Sequence, residues 1–276
     1  MTEVPRHVLE AFGIRGSVRP LPGGQGTSWQ ADWLVLKPHA DEVEISWLAG
    51  LCARSSFEGL RVPEPVAASH GRYVVDGWYA TTFASGEPVA DDNQDPTAWL
   101  PVLAAGRSFH AAVRQEQPPG FLHHRSHRWA AADQAAWTTH TGHLPEQIRL
   151  RLARLARLRR DEGLSDQLVH GDLSGNVLLA PDHPPAVIDV SPYWRPPAYA
   201  EAIVVIDALL WWRTDDAVVD LARPAGMDAR TWTSLLARAA IFRLLASSVA
   251  FDVSSPHRAG ELAQFDAIVD RLARCG

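Results

Sequence analysis

Lysine is almost missing from this 276-residue chain: Lys37 is the only one among 26 basic Lys and Arg residues. Lysine carries a compact, movable ammonium and arginine a rigid planar fork, so the survivor at position 37 is conspicuous. Cysteine is scarce as well. Cys52 and Cys275 give neither a disulfide framework nor a zinc-ligand pattern, which points to a reducing cytoplasm as the simplest home. Long apolar runs are lacking. The longest, 202–212, is interrupted by Asp207 and is too short to span a bilayer. The opening MTEVPRHVLE has no basic region followed by an apolar stretch, so no signal peptide is expected. Positive charge is in deficit, with a net charge of −6, which argues against bulk nucleic-acid binding. No repeat or low-complexity segment occurs.

What is present is an ordinary globular composition, 46% hydrophobic and 21% charged. At ~150 residues per domain, the length suggests two domains or one two-lobed unit. The first 85 or so residues read as short strands with turn residues between them. Strand character is expected at Ser17–Leu21, Trp33–Lys37, Arg72–Val75 and Trp78–Phe83, the last two around an Asp76-Gly77 hairpin signal. Asp41–Arg54 reads as a helix, with acids at its start and Ile45, Leu48 and Leu51 at helical spacing. Ser85–Pro88 is the candidate linker. Beyond it, helices are expected over 97–113, 142–160, 201–213, 230–252 and 259–274, with strand character at 167–169, 177–179 and 186–190. The expected fold class is α+β. Residues 1–85 form a small β-rich lobe and 86–276 a larger, mostly helical one.

Two segments carry chemistry. In LVHGDLSGNVLL (168–179), an Asp and an Asn project from a turn between short strands, and AVIDV (186–190) sets a second Asp at a strand end. Two carboxylates and a carboxamide supply hard oxygen ligands for Mg²⁺ and leave one carboxylate for a hydroxyl nucleophile. Taken alone, each segment could equally be a plain turn. The second segment is PGGQGTS (22–28), nine residues before Lys37. Glycines let backbone N–H groups approach phosphate oxygens, and a lysine supplies a cation for them. No Gly-Lys-Ser/Thr follows, so this is not a P-loop.

In this order, a glycine loop, a strand lysine, an acidic helix, a His-Gly-Asp turn with an Asn, and a later Asp resemble the protein-kinase-like superfamily. Within it the chain resembles the aminoglycoside phosphotransferases and related small-molecule kinases, over about residues 15–215. That resemblance implies a two-lobed kinase-like fold and ATP, with GTP an alternative, together with Mg²⁺. The implied reaction is transfer of a phosphoryl group to the hydroxyl of an aminoglycoside-like compound, a sugar or another metabolite. A rival reading is a catalytically silent nucleotide-binding module. No nucleic-acid or membrane partner is implied.

The resemblance also assigns roles. Asp172 is the catalytic base or orienting group, and Asn176 and Asp189 hold Mg²⁺. Lys37 meets the α/β-phosphates and is steadied by Glu44, or failing that Glu42. Gly23, Gly24, Gly26 and Thr27 cover the phosphates, and Thr82, Phe83 and Ala84 run along the adenine edge. His170 braces the loop. Three residues separate Asp172 and Asn176, where the family usually has four. On the acceptor side, Tyr193, Trp194 and Arg195 offer stacking surfaces and a cation. Glu201, Asp207, Asp215 and Asp216 are nearby acids, and either Asp207 or Glu201 could anchor the turn. The histidines between 123 and 143 match no compact metal motif, and the arginine-rich helix at 149–160 reads as a solvated amphipathic helix. Most tryptophans, including Trp211 and Trp212, are expected to fill the core or the lobe interface.

Overall fold

The computed structural model describes residues 3–22, 26–138, 144–161, 163–248 and 256–275. In chain order come helix α1 (Arg6–Ala11) and strands β1 (Val18–Pro20), β2 (Trp29–Ala31) and β3 (Leu34–Lys37). Helix α2 (Glu42–Arg54) follows, then β4 (Pro65–Val66), β5 (Val74–Val75) and β6 (Trp78–Thr82). The helices α3 (Leu100–Ala112), α4 (Arg128–Trp137) and α5 (Glu146–Ala156) precede β7 (Gln167–His170), β8 (Val177–Ala180), β9 (His183–Val187) and β10 (Pro192–Arg195). The chain then runs through α6 (Pro197–Leu210), α7 (Val218–Leu221), α8 (Ala229–Ser248) and α9 (Pro256–Cys275). This is an α+β chain. None of its described helices is long and apolar enough to cross a membrane.

Contacts divide the chain into two compact units. The first comprises residues 1–88, 111–113 and 175–190. Its centre is an antiparallel sheet in the order β1-β2-β3-β6-β4, with β5 also on β6. Leu34 and Leu36 of β3, Trp78 and Ala80 of β6, and Trp29 and Ala31 of β2 point into one core that Val8 of α1 also enters. That is the period-2 alternation of strands. Asp41 caps α2, accepting from the Val43 and Glu44 N–H groups, and the helix buries Ile45, Leu48 and Leu51 as the spacing requires. The β8–β9 hairpin belongs to this unit too. Ser85–Pro88 joins it: Glu87 and Leu179 exchange both backbone hydrogen bonds, at 2.9 and 2.8 Å. Gly86 makes the crossing possible, since its φ is +132° and a Cβ there would lie 3.0 Å from the Leu179 carbonyl oxygen. Arg61 clamps the same place, donating to the carbonyls of Pro184 and Ser85, each at 2.8 Å.

The second unit comprises residues 89–110, 114–174 and 191–276. Helix α8 is its axis and packs on α4, α5, α6 and α9. Helix α6 is buried at every position from Tyr199 to Ala208, so its sequence is apolar on all sides. It begins at Pro197, four residues before the expected start. Proline is well placed in a first turn, where its missing N–H leaves nothing unsatisfied. Strands β7 and β10 pair antiparallel, with Tyr193 opposite Val169 and Arg195 opposite Gln167.

Candidate active site

In the first unit, two sequence-predicted residues meet. Lys37 ends β3, and its Nζ donates to Asp189 Oδ1 across 152 positions of sequence. Asp189 is not itself in a strand. Strand β9 runs from His183 to Val187, through Pro184 and Pro185, and stops two residues short. The Ile188 N–H then donates to the Asn176 carbonyl at 2.9 Å, which sets Asn176 and Asp189 at one end of the β8–β9 hairpin. Asp189 has φ +51°, a left-handed conformation that costs energy in a non-glycine residue and concentrates at functional positions. The backbone thus turns its carboxylate to Lys37. Burial, with Asp189 as a secondary cause, pushes the Tyr79 phenol well up, and Tyr79 pairs with Lys37 across the sheet.

The other nucleotide-side residues have mixed placements. Glu44 lies in the first turn of α2. Glu42 instead accepts from the Arg72 side chain and the N–H groups of Tyr73 and Val74, so it locks a loop. Gly26 has φ +67°, in keeping with a turn, while Gly23 and Gly24 lie outside the described residues. Thr27 follows Gly26 and is half-buried. The Phe83 N–H is taken by the Trp33 carbonyl, and Thr82, Phe83 and Ala84 border an open pocket shared with Cys52, Leu60 and Glu64. Burial pushes the Cys52 thiol up to about 11, which keeps it protonated near neutral pH.

In the second unit, Asp172 follows β7, and its side chain is 46% exposed. Its turn is braced from below. The Asp172 N–H donates to His170 Nδ1 at 3.1 Å, and the His170 N–H donates to His110 Nε2 at 3.1 Å. His170 therefore braces the loop. Burial drives the His110 pKa down to about 3, with His170 a secondary cause, so His110 stays neutral and accepts. The Gly171 N–H donates to the Ser191 carbonyl at 2.9 Å. A Cβ on Gly171 would sit 2.4 Å from the Tyr193 ring, so this glycine lets the turn lie on that ring.

The sequence reading missed Arg243. It sits in α8 with 3% of its side chain exposed, and its Nη2 donates to Asp172 Oδ1 at 2.7 Å. The same guanidinium holds the wholly buried Asp207, at 2.6 Å through Nε and 2.5 Å through Nη2. Burial works against the Arg243 charge, but the two carboxylates more than offset it and hold the group protonated. Asp207 thus anchors the turn through a guanidinium instead of by accepting backbone N–H bonds. Removing one member of such a set strands a buried charge, at about 3–5 kcal/mol. The available signal was one arginine inside the apolar run AAIFRLLA.

The acceptor-side candidates are engaged elsewhere. Tyr193 is buried under the turn. Trp194 is half-buried. Arg195 forks onto Asp133 of α4, at 3.2 and 2.6 Å, and lies over the Trp137 ring. Glu201 is buried and bound by Arg107. Asp215 caps the Ala217 N–H, and Asp216 pairs with Arg271. Trp212 is half-buried and packs edge-on against the buried Trp99, whereas Trp211 is 44% exposed.

Solved structures share this architecture. Aminoglycoside phosphotransferase APH(4)-Ia matches with a TM-score of 0.65 at 16% identity, covering 98% of this chain and 97% of that one. A microcompartment-associated aminopropanol kinase gives 0.61 at 18%, covering 97% and 95%. Choline kinase LicA from Streptococcus pneumoniae gives 0.58 at 12%, covering 98% of each. At such identities the likeness establishes the kinase-like fold alone. No curated protein matches the chain by sequence. The family follows from the sequence itself: residues 19–191, well over half the chain, match the phosphotransferase enzyme family, APH, and the chain is a member of it.

Proposed function

We propose that the protein transfers the γ-phosphoryl group of ATP to a hydroxyl of a small molecule, with Mg²⁺ as the metal. The observation that carries this is the Lys37–Asp189 pair, which joins the two most telling sequence features across 152 positions. Solved relatives support a nucleotide donor: a spectinomycin phosphotransferase was crystallised with ADP, and an amicoumacin kinase with AMP-PNP and Ca²⁺.

The donor set fits the metal. Asp189 is a half-exposed carboxylate that already accepts a cation, and Asn176 lies at the same hairpin end. Mg²⁺ needs only one or two protein oxygens, because phosphates and water complete its shell. When bound, it neutralises phosphate charge. On this reading Lys37 meets the phosphates, with Glu44 steadying it. The loop of Gly23, Gly24, Gly26 and Thr27 covers them, and Thr82, Phe83 and Ala84 follow the adenine edge. Residues 1–85 act as the nucleotide lobe and 86–276 as the acceptor lobe. Asp172, oriented by Arg243, takes the proton of the acceptor hydroxyl as that hydroxyl's oxygen bonds the γ-phosphorus and the bond from phosphorus to the ADP oxygen breaks.

The test is binding. ATP with Mg²⁺ should raise the thermal midpoint by several degrees, and Asp189→Asn should lose most of the Mg²⁺-dependent part. A wild type indifferent to Mg-ATP would end the reading.

A further inference from the structure

A guanidinium holds its N–H groups in one rigid plane, so the way they are shared decides what each partner receives. Arg243 of α8 shares them unequally. Its Nε donates to Asp207 Oδ1 at 2.6 Å and its Nη2 to Asp207 Oδ2 at 2.5 Å, a fork on both carboxylate oxygens. The second hydrogen of Nη2 is left for Asp172, whose Oδ1 lies at 2.7 Å. The Asp207 side chain is wholly buried and that of Asp172 is 46% exposed. The fork therefore grips the inner carboxylate, and one N–H reaches the outer one. Aromatic rings fix the plane. The guanidinium carbon lies 4.8 Å from the Phe242 ring centre, 5.2 Å from that of Trp211 and 6.0 Å from that of Trp129. Rings favour a cation so placed. They belong to α8, the end of α6 and α4, so three elements hold the guanidinium in place.

The sharing matters to a base. A guanidinium given wholly to one carboxylate bonds both of its oxygens and cancels its charge, which leaves a poor acceptor for a hydroxyl proton. Here two carboxylates share one guanidinium, so the set keeps a negative charge. Without the charge on Asp207, the anion left in contact with the fork is Asp172. Stability does not call for such a set, since apolar side chains of similar volume often serve a buried place as well or better.

We propose that Asp207 and Arg243 are a positioning pair for the transfer reaction: Asp207 takes the fork, which restricts Arg243 to one bond on Asp172 and keeps that carboxylate both aimed and negatively charged. This rests on the phosphotransferase reading, in which Asp172 receives the proton of the acceptor hydroxyl. Asp207 touches none of the reactants and acts through Arg243.

The experiment measures ADP release from Mg-ATP with the acceptor that the wild type uses fastest among amino alcohols, sugars, nucleosides, aminoglycosides and water. Asp207→Asn keeps the shape of the side chain and lets the fork turn to Asp172. It should lower kcat about tenfold or more, with KM for Mg-ATP kept within about twofold. Arg243→Met should lower kcat at least as much and should also lower the unfolding midpoint, because it strands the buried Asp207. Adding Asp207→Leu to Arg243→Met removes that stranded charge. The double variant should regain most of the midpoint and none of the rate, since both residues act on Asp172 by one route. A kcat that follows the midpoint through these variants, or a wild-type kcat in Asp207→Asn, overturns the proposal while the phosphotransferase reading stands. If the wild type forms no ADP with any of these acceptors, that reading itself has failed, and the proposal with it.

Discussion

Lys37 and Asp189 show what a single residue can be asked to do. The lone lysine reaches its partner from a strand end, and the partner adopts a left-handed backbone to present its carboxylate. A guanidinium has the charge but not the shape for this place. Lys37→Arg should therefore fold normally and lose about 10²-fold in turnover, a misplacement effect read by steady-state ADP release. His110 supports a second prediction. It accepts the His170 N–H from a buried site, and its pKa of about 3 lies below the ordinary 6.5. Between those values the unfolded chain binds a proton that the folded chain refuses. Stability from this group is thus intact above pH 6.5 and declines as pH falls, by about 1.4 kcal/mol per pH unit. Thermal unfolding at pH 7.5 and pH 5 should show a smaller drop in His110→Gln than in the wild type. Asp172, Asn176, Asp189 and Lys37 were legible because each sits in a short local pattern. Arg243 was not, since its partners lie 36 and 71 positions away and only packing brings them to it.

At the scale of elements, long apolar periodicity reads well, and a short strand reads where turn residues mark it. Helix α2 was legible from its cap to its buried face. Strands β2 and β10 were not foreseen, although β1 and β5, no longer than they, were read from the turn residues beside them. Helix α4 hid in an alanine-rich stretch between histidines. Missing it concealed Asp133, and with it the buried partner of Arg195. The Ser85–Pro88 segment looked like a loose connection because Gly and Pro punctuate it. Its glycine instead serves a close backbone crossing. Gly86→Ala would force a Cβ into a φ of +132° and 3.0 Å from a carbonyl oxygen. It should cost about 1–3 kcal/mol, read as a lowered midpoint in denaturant.

Across the whole molecule, the α+β composition and the two-part organisation followed from strand-like segments giving way to helical ones. Net charge was a poorer guide. The chain carries −6 overall, yet the carboxylate of Asp172 is met by the guanidinium of the buried Arg243. A global sum says little about a local field, because screening confines each charge to about 10 Å. The central claim, that this chain moves a phosphoryl group to a small alcohol through Asp172, is tested most directly by label transfer. Purified protein with Mg²⁺ and γ-labelled ATP is offered a panel of alcohols, and the products of wild type and Asp172→Asn are compared. The account predicts a labelled phosphate ester with the wild type and a fall of roughly 10²–10⁴-fold in the variant, with ATP still bound. Equal labelling by both proteins would contradict it.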